Sequence, residues 1–140
     1  MTKWQLTMAA GTFRDLTVYK KAFAVAMDIF NITKKFPAEE KYSLTDQIRR
    51  SSRAVCTCIG EAYRKRQYQA HFVSKSSDAD MENTETRVWL DFAFECGYIT
   101  LSDFAELEMK TEEVGKLLNH MIENPEKYTR KSNTKTTVKT

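Results

Sequence analysis

The sequence predicts an all-α protein that folds as an antiparallel, up-down-up-down four-helix bundle over residues 13–124. Four segments place apolar residues three and four positions apart, which is the spacing of one helix face. The 140 residues include only four glycines and two prolines, too few for the frequent tight turns of a β-sandwich or barrel. Short connections between these segments make consecutive helices antiparallel neighbours.

The first predicted helix starts after Asp15 and ends at or before Phe36. Asp15 is the expected N-cap because its carboxylate can accept backbone N–H bonds from the first turn. Pro37 ends the helix, since a residue that precedes proline avoids the α conformation. The predicted core face consists of Leu16, Tyr19, Phe23, Ala26, Met27 and Phe30.

The second predicted helix follows Ser43, the expected cap, and its core face is Leu44, Ile48, Ser51, Val55, Ile59 and Ala62. The small residues along it would let a neighbouring backbone approach closely. A group of basic side chains lies off this face, at positions 49, 50 and 53 and at 64–66.

The third predicted helix spans residues 68–96, with Gly97 as a left-handed C-cap. Its ends are apolar but residues 76–86 are mostly polar, so a break near Asn83 is an alternative. The fourth helix starts after Ser102, the expected cap, and ends before Pro125. Its predicted core face is Phe104, Leu107, Val114, Leu117, Leu118, Met121 and Ile122.

The two ends of the chain are predicted to lie outside the bundle. We expect a flexible segment over residues 1–12 and a disordered basic tail over residues 125–140, where few apolar residues offset the entropy of ordering. The longest apolar stretch, residues 22–27, is far shorter than the ~20 residues of a membrane helix. No membrane association is expected, and the cytoplasm is the expected location.

Charge is distributed unevenly along the chain. Residues 1–66 hold 13 basic and 6 acidic residues (net +7), residues 67–124 hold 4 and 12 (net −8), and residues 125–140 hold 5 and 1 (net +4). Either the two halves face one another, or the basic half faces an anionic partner.

Several sequence blocks resemble a known family. Residues 42–55 read YSLTDQIRRSSRAV, residues 60–68 read GEAYRKRQY, residues 72–75 read FVSK, residues 85–93 read ETRVWLDFA and residues 96–99 read CGYI. Together with FRDLTVYKKA over residues 13–22 and Phe36-Pro37, they resemble the four-helix-bundle family of proteins encoded in intervening sequences of bacterial 23S ribosomal RNA genes. This chain has CIGEA over residues 58–62 where much of the family has NIAEG.

The resemblance implies a helical bundle, a ring-like homo-oligomer and no established enzymatic activity. The family is similar in fold to the accessory protein of diversity-generating retroelements, a basic pentameric barrel that engages reverse transcriptase and nucleic acid. The resemblance therefore makes a pentamer one expectation for subunit number, and a reverse transcriptase one expectation for a protein partner.

No enzyme, metal site or cofactor is predicted. Cys56 and Cys58 point in nearly opposite directions on a helix, so they cannot bind one zinc ion together, and all three cysteines, with Cys96, are interpreted as buried packing residues. The acidic string Asp78, Glu82 and Glu85 shares a helix face, and a solvated or subunit-facing surface is the favoured interpretation. No Glu-x-x-His motif, glycine-rich phosphate loop or nucleophile–histidine spacing is present.

The strongest functional signal is a set of basic and aromatic residues on the second helix and its exit. Arginine offers forked donors to phosphate oxygens and tyrosine can stack on unpaired bases. The candidate nucleic-acid-binding residues are Arg49, Arg50, Arg53, Arg64, Lys65, Arg66, Tyr63 and Tyr68. An arginine row can equally serve a subunit interface, and the cations at 64–66 can complement the helix dipole.

Two functions are therefore expected as alternatives. The first is a non-enzymatic, homo-oligomeric bundle that binds RNA or DNA through the basic residues of the second helix and the tail. The second is a protein–protein adaptor, for example to a reverse transcriptase, whose charges serve ring assembly by head-to-tail contacts.

Overall fold

The computed structural model describes residues 11–130, which form four α-helices. Helix α1 spans Thr17–Thr33, α2 Leu44–Arg64, α3 Gln69–Glu95 and α4 Leu101–Glu123. Three 3₁₀ turns flank them, at Phe13–Asp15, Ala38–Glu40 and Pro125–Lys127. This part of the chain contains no strand, which confirms the predicted all-α class. None of its helices is both long and apolar enough to cross a bilayer.

Consecutive helices pack side by side, and α1 also packs against α4. Within residues 11–130, no Cα atoms of the diagonal pairs α1–α3 and α2–α4 lie within 8 Å of each other. Contacts between α2 and α3 run in opposite directions along the two helices: Arg50 reaches Glu85, whereas Glu61, later in α2, reaches Lys75, earlier in α3. The neighbouring helices are thus antiparallel, as the short connections predict.

The core is apolar and drawn from all four helices. Its largest fully buried apolar side chains are Phe72, Ile29, Ile48, Ile59, Leu90, Leu118 and Val114. The predicted core face of α2 is confirmed in full, since all six of its residues are buried. On α4, four of the seven predicted core residues are buried, namely Leu107, Val114, Leu118 and Met121, together with Thr111, which lies on the same face.

The predicted core face of α1 is wrong by about one residue. The helix buries Val18, Ala22, Val25, Ala26, Ile29 and Thr33, of which only Ala26 was expected. Tyr19 and Phe23 lie half-buried at the edge of the core, and Met27 is 42% exposed. Both stripes repeat every three or four residues, so periodicity alone does not separate them. The stripe with the smaller side chains faces the other helices, and the aromatic stripe lies beside it.

The polar middle of α3 is continuous helix, without the break considered near Asn83. Two of its three buried polar side chains find partners on the neighbouring helices. Thr86 Oγ1 donates to Ser51 Oγ on α2 at 2.8 Å, and Asn83 Nδ2 donates to the Thr111 carbonyl on α4 at 2.9 Å. A Cβ at Gly115 would stand 3.4 Å from Asn83 Nδ2, so the glycine leaves room for the amide between α3 and α4. Tertiary hydrogen bonds therefore replace the apolar contacts that the sequence lacks here.

Of the three predicted N-caps, Ser43 stands at the N-cap position of α2 but makes no side-chain capping bond, whereas Asp15 and Ser102 are wrong. Asp15 forms a capping box with Thr12 on the short 3₁₀ turn that precedes α1. At α2, the Leu44 N–H donates to the Glu40 carboxylate at 3.3 Å, while Ser43 Oγ also donates to Glu40, at 2.6 Å. At α4 the cap is Thr100, whose Oγ1 accepts from the Asp103 N–H at 3.0 Å, two residues before the predicted serine.

Glu40 also ties the start of α2 to the connection between α3 and α4. Tyr98 Oη donates to Glu40 Oε2 at 2.7 Å. Hydrogen bonds from Ser43 and Tyr98 lower the pKa of Glu40, and the bond to Glu40 raises the pKa of Tyr98 to about 12. The carboxylate thus accepts hydrogen bonds from two separate segments.

The predicted C-cap of α3 is confirmed. Gly97 has a φ of +78°, which an L-residue with a side chain rarely adopts. The Tyr98 N–H donates to the Ala93 carbonyl and the Gly97 N–H to the Phe94 carbonyl, both at 2.9 Å. These two bonds form a Schellman motif, which ends the helix and turns the chain toward α4.

Residues 125–130 are ordered rather than part of a disordered tail. Pro125–Lys127 form a 3₁₀ turn, and the Tyr128 ring stacks on Phe72 with ring centroids 6.2 Å apart. Tyr128 supplies the aromatic surface that holds this short segment to the bundle. The rest of the predicted tail, residues 131–140, and residues 1–10 of the predicted flexible segment lie outside the described residues.

Two conservative substitutions on α3 test the role of its buried hydroxyls. Thr86→Val removes a donor to Ser51, and we expect the free energy of unfolding to fall by about 1 kcal/mol. Ser76 is fully buried and its Oγ has no hydrogen-bond partner, so Ser76→Ala should leave stability unchanged or raise it. Urea unfolding measures both. Equal losses in the two variants would contradict this assignment.

Candidate nucleic-acid interface

Three arginines of α2 lie along one stripe of its exposed surface. Arg49, Arg53 and Arg64 are separated by whole turns, with Thr57 and Gly60 on the same stripe between them. At 1.5 Å per residue, the outer two arginine Cα atoms are about 22 Å apart. Because the opposite face of α2 is buried, the fold turns these side chains away from the core.

The ring of Phe30 on α1 lies close to three cationic side chains. Lys34 Nζ lies 4.7 Å from its ring centroid, Arg49 Cζ 5.0 Å and Arg53 Cζ 5.9 Å. Arg49 Nε also donates to Thr33 Oγ1 at 2.8 Å, which fixes its guanidinium. We call these four residues, Phe30, Lys34, Arg49 and Arg53, the Phe30 cluster. Cation–π contacts hold its positive groups together against their mutual repulsion.

The Phe30 cluster has no countercharge in the part of the chain that the structure describes. No carboxylate oxygen of residues 11–130 lies within 4 Å of its three cationic groups. The two arginines also line an open groove of about 660 Å³ with Lys41 and Tyr42 from the preceding connection, and Asp46 and Arg50 line it too. A phosphate group could therefore approach these donors without displacing a carboxylate.

Arg50 lines the same groove as Arg49 and Arg53, but it is paired with carboxylates of α3. Its guanidinium donates to Glu85 at 2.6 Å and to Glu82 at 3.4 Å, both on α3. The hydrogen bond from Arg50 lowers the pKa of Glu85, while partial burial and the hydrogen bond with Glu85 raise the pKa of Glu82. Of the predicted site residues, Arg50 is thus already paired with carboxylates of the same chain.

The exit of α2 carries the remaining predicted residues. Arg66 Cζ lies 3.6 Å from the Tyr63 ring centroid, and its Nε donates to the Tyr63 carbonyl at 2.9 Å. One face of Tyr63 is therefore covered by a guanidinium. Tyr68 is 54% exposed and meets His71 edge-on, so its ring is more accessible for stacking. Arg64 and Lys65 are exposed.

The acidic string of α3 is engaged in ion pairs. Asp78 pairs with Lys75 at 3.8 Å, and the other two members pair with Arg50. Residues 11–130 contain no group of three histidine, cysteine or carboxylate side chains placed to hold a metal ion. His120 Nδ1 lies 2.5 Å from the Tyr128 hydroxyl.

The three free cysteines differ in exposure, so their interpretation as buried packing residues is wrong for one of them. Cys56 is buried, and burial raises its thiol pKa to about 12. Cys58 is half-buried, and its pKa is also raised, chiefly by burial. Cys96, at the end of α3, is exposed.

Sequence reasoning missed an apolar groove between the start of α2 and the end of α3. It has a volume of about 650 Å³ and is lined by Tyr42, Trp89, Phe92 and Cys96 among others. Tyr42 is 85% and Phe92 53% exposed. At the apolar end of α3, Leu90 and Ala93 are buried in the core, whereas Phe92 faces the groove. The available signal was that the end of α3 holds more aromatic residues than one buried helix face can accommodate.

Replacing Arg50 tests the pairing across α2 and α3. We expect Arg50→Gln to raise the pKa of Glu85, because that carboxylate loses its strongest hydrogen-bond donor. A carboxylate whose folded pKa lies below its ordinary 4.5 stabilises the fold above that pH, and this contribution is lost as pH falls through the folded pKa. The variant should therefore lose less stability on acidification. NMR titration of the carboxyl carbons gives the pKa, with Lys116→Gln as control. An unchanged Glu85 pKa would contradict the pairing.

Comparison with known proteins places the chain and its fold in a family. Residues 14–120 match the family described as 23S rRNA-intervening sequence protein. A solved crystal structure from Bacteroides thetaiotaomicron VPI-5482, of a protein with unknown function from the S23 ribosomal protein family, is 31% identical with a TM-score of 0.70. The similarity covers 76% of this chain and 95% of that one. The chain matches no curated protein sequence. This chain belongs to the family of 23S rRNA-intervening sequence proteins, as its sequence blocks predicted.

Proposed function

We propose that this protein is a non-enzymatic, homo-oligomeric helical bundle that binds RNA or DNA through the exposed cations of α2. The Phe30 cluster carries the proposal, because it holds three positive groups together with no carboxylate beside them among residues 11–130. Arginine forks match phosphate oxygens, and such contacts attract nucleic acid regardless of its sequence. The proposed contacts are Arg49, Arg53, Arg64, Lys65 and Arg66, with Tyr68 available for stacking on unpaired bases.

The distribution of ion pairs supports a phosphate-binding role for α2. Every basic residue of α3 and α4 lies within 4 Å of a carboxylate: Lys75, Arg87, Lys110 and Lys116. On α2 the same holds only for Arg50. The cations of α3 and α4 thus serve contacts within the chain, whereas those of α2 are left for a partner that brings its own negative charge.

Self-association is the second part of the proposal. The described residues expose several large apolar side chains, including Phe92, Leu101 and Met109, at more than half of their surface. Neighbouring apolar residues on a surface commonly mark contacts between proteins. The opposite net charges of the two halves of the chain also favour contacts between copies, and a ring-like assembly fits both features.

A protein–protein adaptor is the second candidate function. The groove beside Tyr42, Trp89 and Phe92 favours it, because this surface is largely apolar and contains none of the cations of the Phe30 cluster. If the adaptor function is correct, a protein partner, such as a reverse transcriptase, should bind the wild-type chain and the arginine variants equally. Its binding should be lost in the Phe92→Ser variant.

Salt-dependent binding of a mixed-sequence single-stranded RNA tests the nucleic-acid role. We expect Arg49→Gln/Arg53→Gln to reduce the slope of log affinity against log salt by about 1.4, which corresponds to two lost phosphate contacts on a single strand. Arg49→Lys/Arg53→Lys keeps both charges and should keep most of the slope. Fluorescence anisotropy over a salt series measures it, and a DNA strand of the same sequence tests the choice of nucleic acid.

Arg50→Gln is the matched control, because it removes one positive charge from the same helix at a residue already paired with glutamates. It should change the slope less than either neighbouring arginine does. Circular dichroism melting checks that each variant folds. No RNA or DNA binding by the wild-type chain at low salt, or an identical slope in the double variant, would overturn the proposed function.

The oligomeric state separates phosphate contacts from subunit contacts. We expect light scattering to give a mass above that of one 16.3 kDa chain, and Arg49→Gln/Arg53→Gln to keep that mass. Dissociation of the variant would assign these arginines to the subunit interface instead. A monomer at every protein concentration would contradict the assembly.

A further inference from the structure

The segment of residues 125–130, which we call the C-terminal strap, crosses the end of the bundle at the exit of α2. Tyr128 anchors it by stacking on the buried ring of Phe72 and by its hydroxyl contact with His120 Nδ1. The Arg130 N–H then donates to the Arg66 carbonyl at 3.1 Å. The strap therefore brings an arginine from the far end of the described chain beside the basic exit of α2.

A small polar cleft lies where the strap meets α2. It has a volume of about 110 Å³ and is lined by Tyr63, Arg64, Arg66, Gln67 and Arg130. The guanidinium of Arg66 is held in place by its stacking on the Tyr63 ring and by the bond from its Nε to the Tyr63 carbonyl. These contacts leave its two terminal nitrogens free of any hydrogen bond to residues 11–130.

Three guanidinium groups line this cleft without a countercharge. Within residues 11–130, no carboxylate oxygen lies within 4 Å of Arg64, Arg66 or Arg130. A helix dipole attracts cations to its C-terminal end, which accounts for Arg64 in the last turn of α2. It does not account for Arg130, which belongs to a different segment and is placed there by Tyr128.

We propose that this cleft is a binding site for one phosphate group, completed by Arg130 of the C-terminal strap. The fixed Arg66 guanidinium and the side chains of Arg64 and Arg130 can each donate to a tetrahedral oxyanion, and charge-assisted bonds of this kind are about twice as strong as neutral ones. The small volume suits one phosphate rather than a base. The inference rests on the proposed nucleic-acid binding and adds a contact outside the Phe30 cluster. The phosphate is either a backbone diester or the 5′-terminal monoester.

Binding of 3′-labelled single-stranded RNA to the full chain tests the site. We expect Arg130→Gln to weaken binding about tenfold or more, the effect of losing a hydrogen bond to a charged group. Tyr128→Ala keeps every positive charge but releases the strap, and it should weaken binding to a similar degree. Lys127→Gln removes one charge from an exposed residue of the same strap outside the cleft and should change affinity less than twofold.

The 5′ end of the RNA separates the two sources of phosphate. If a 5′-phosphorylated strand binds more tightly than its 5′-hydroxyl counterpart, and Arg130→Gln removes the difference, the site takes the terminal monoester. An equal loss with both strands assigns it to the backbone. If Arg130→Gln behaves like Lys127→Gln with both strands, the cleft is not a phosphate site.

Titration with inorganic phosphate keeps this test separate from the proposed function. At constant ionic strength set with chloride, phosphate should shift the NMR amide signals of Arg64, Arg66 and Arg130 in the wild-type chain. The shifts should disappear in Arg130→Gln. Their absence in the wild type would overturn the site, even if the Phe30 cluster binds RNA. Their presence without RNA binding would leave the site intact and overturn the nucleic-acid function.

Discussion

The packing of α2 against α3 through small hydroxyl side chains is the contact on which the rest of the surface depends. The Thr86 hydroxyl reaches Ser51 across the helix pair at 2.8 Å, which requires the two backbones to lie close together. This approach brings Arg50, one residue before Ser51, onto Glu85. The preceding residue, Arg49, is turned by about 100° and reaches α1 instead. One interhelical contact therefore determines that Arg50 is paired with carboxylates, whereas the half-buried Arg49 is not.

The same helix packing turns the uneven charge distribution along the chain into surfaces that differ in their content of unpaired cations. Where α3 and α4 carry a basic residue, it pairs with a carboxylate, so these helices present a surface with few unpaired cations. Exposed pairs of this kind contribute at most about 1 kcal/mol each to stability, so their main effect is on the electrostatic field. The unpaired cations of α2 then dominate the electrostatic field along the surface that runs from the Phe30 cluster to the cleft at Arg130.

Much of the fold could be predicted from the sequence, because four long amphipathic segments with short connections admit few arrangements. The core face of α2 was predictable residue by residue, since small and β-branched residues recur there at helical spacing. The core face of α1 was not, because two adjacent stripes are equally apolar and only the neighbouring helices select the one with Val18 and Ala22. Glu40 and Thr100 accept capping N–H bonds because of the geometry of the turns before α2 and α4. In sequence alone, the nearby serines are equally suitable caps.

The site was predictable as a set of residue types and not as an arrangement. Spacing placed Arg49 and Arg53 off the core face, but the ring of Phe30 that organises them comes from another helix. Spacing also could not separate Arg50 from its neighbours, since its glutamate partners lie more than thirty positions away. Arg130 had been assigned to a disordered tail, because a single aromatic residue gives no periodic signal.

The glycine at position 115 carries a consequence for how this protein can change. Its missing side chain leaves only 3.4 Å between a hypothetical methyl and the Asn83 amide, and that amide ties α3 to a backbone carbonyl of α4. An alanine methyl at 115 would touch the amide at ordinary van der Waals distance, whereas a longer side chain at 115 or at 83 would require the facing helix to move. We therefore expect positions 83 and 115 to covary in evolution, so that two compensating replacements are retained where either one alone would be lost.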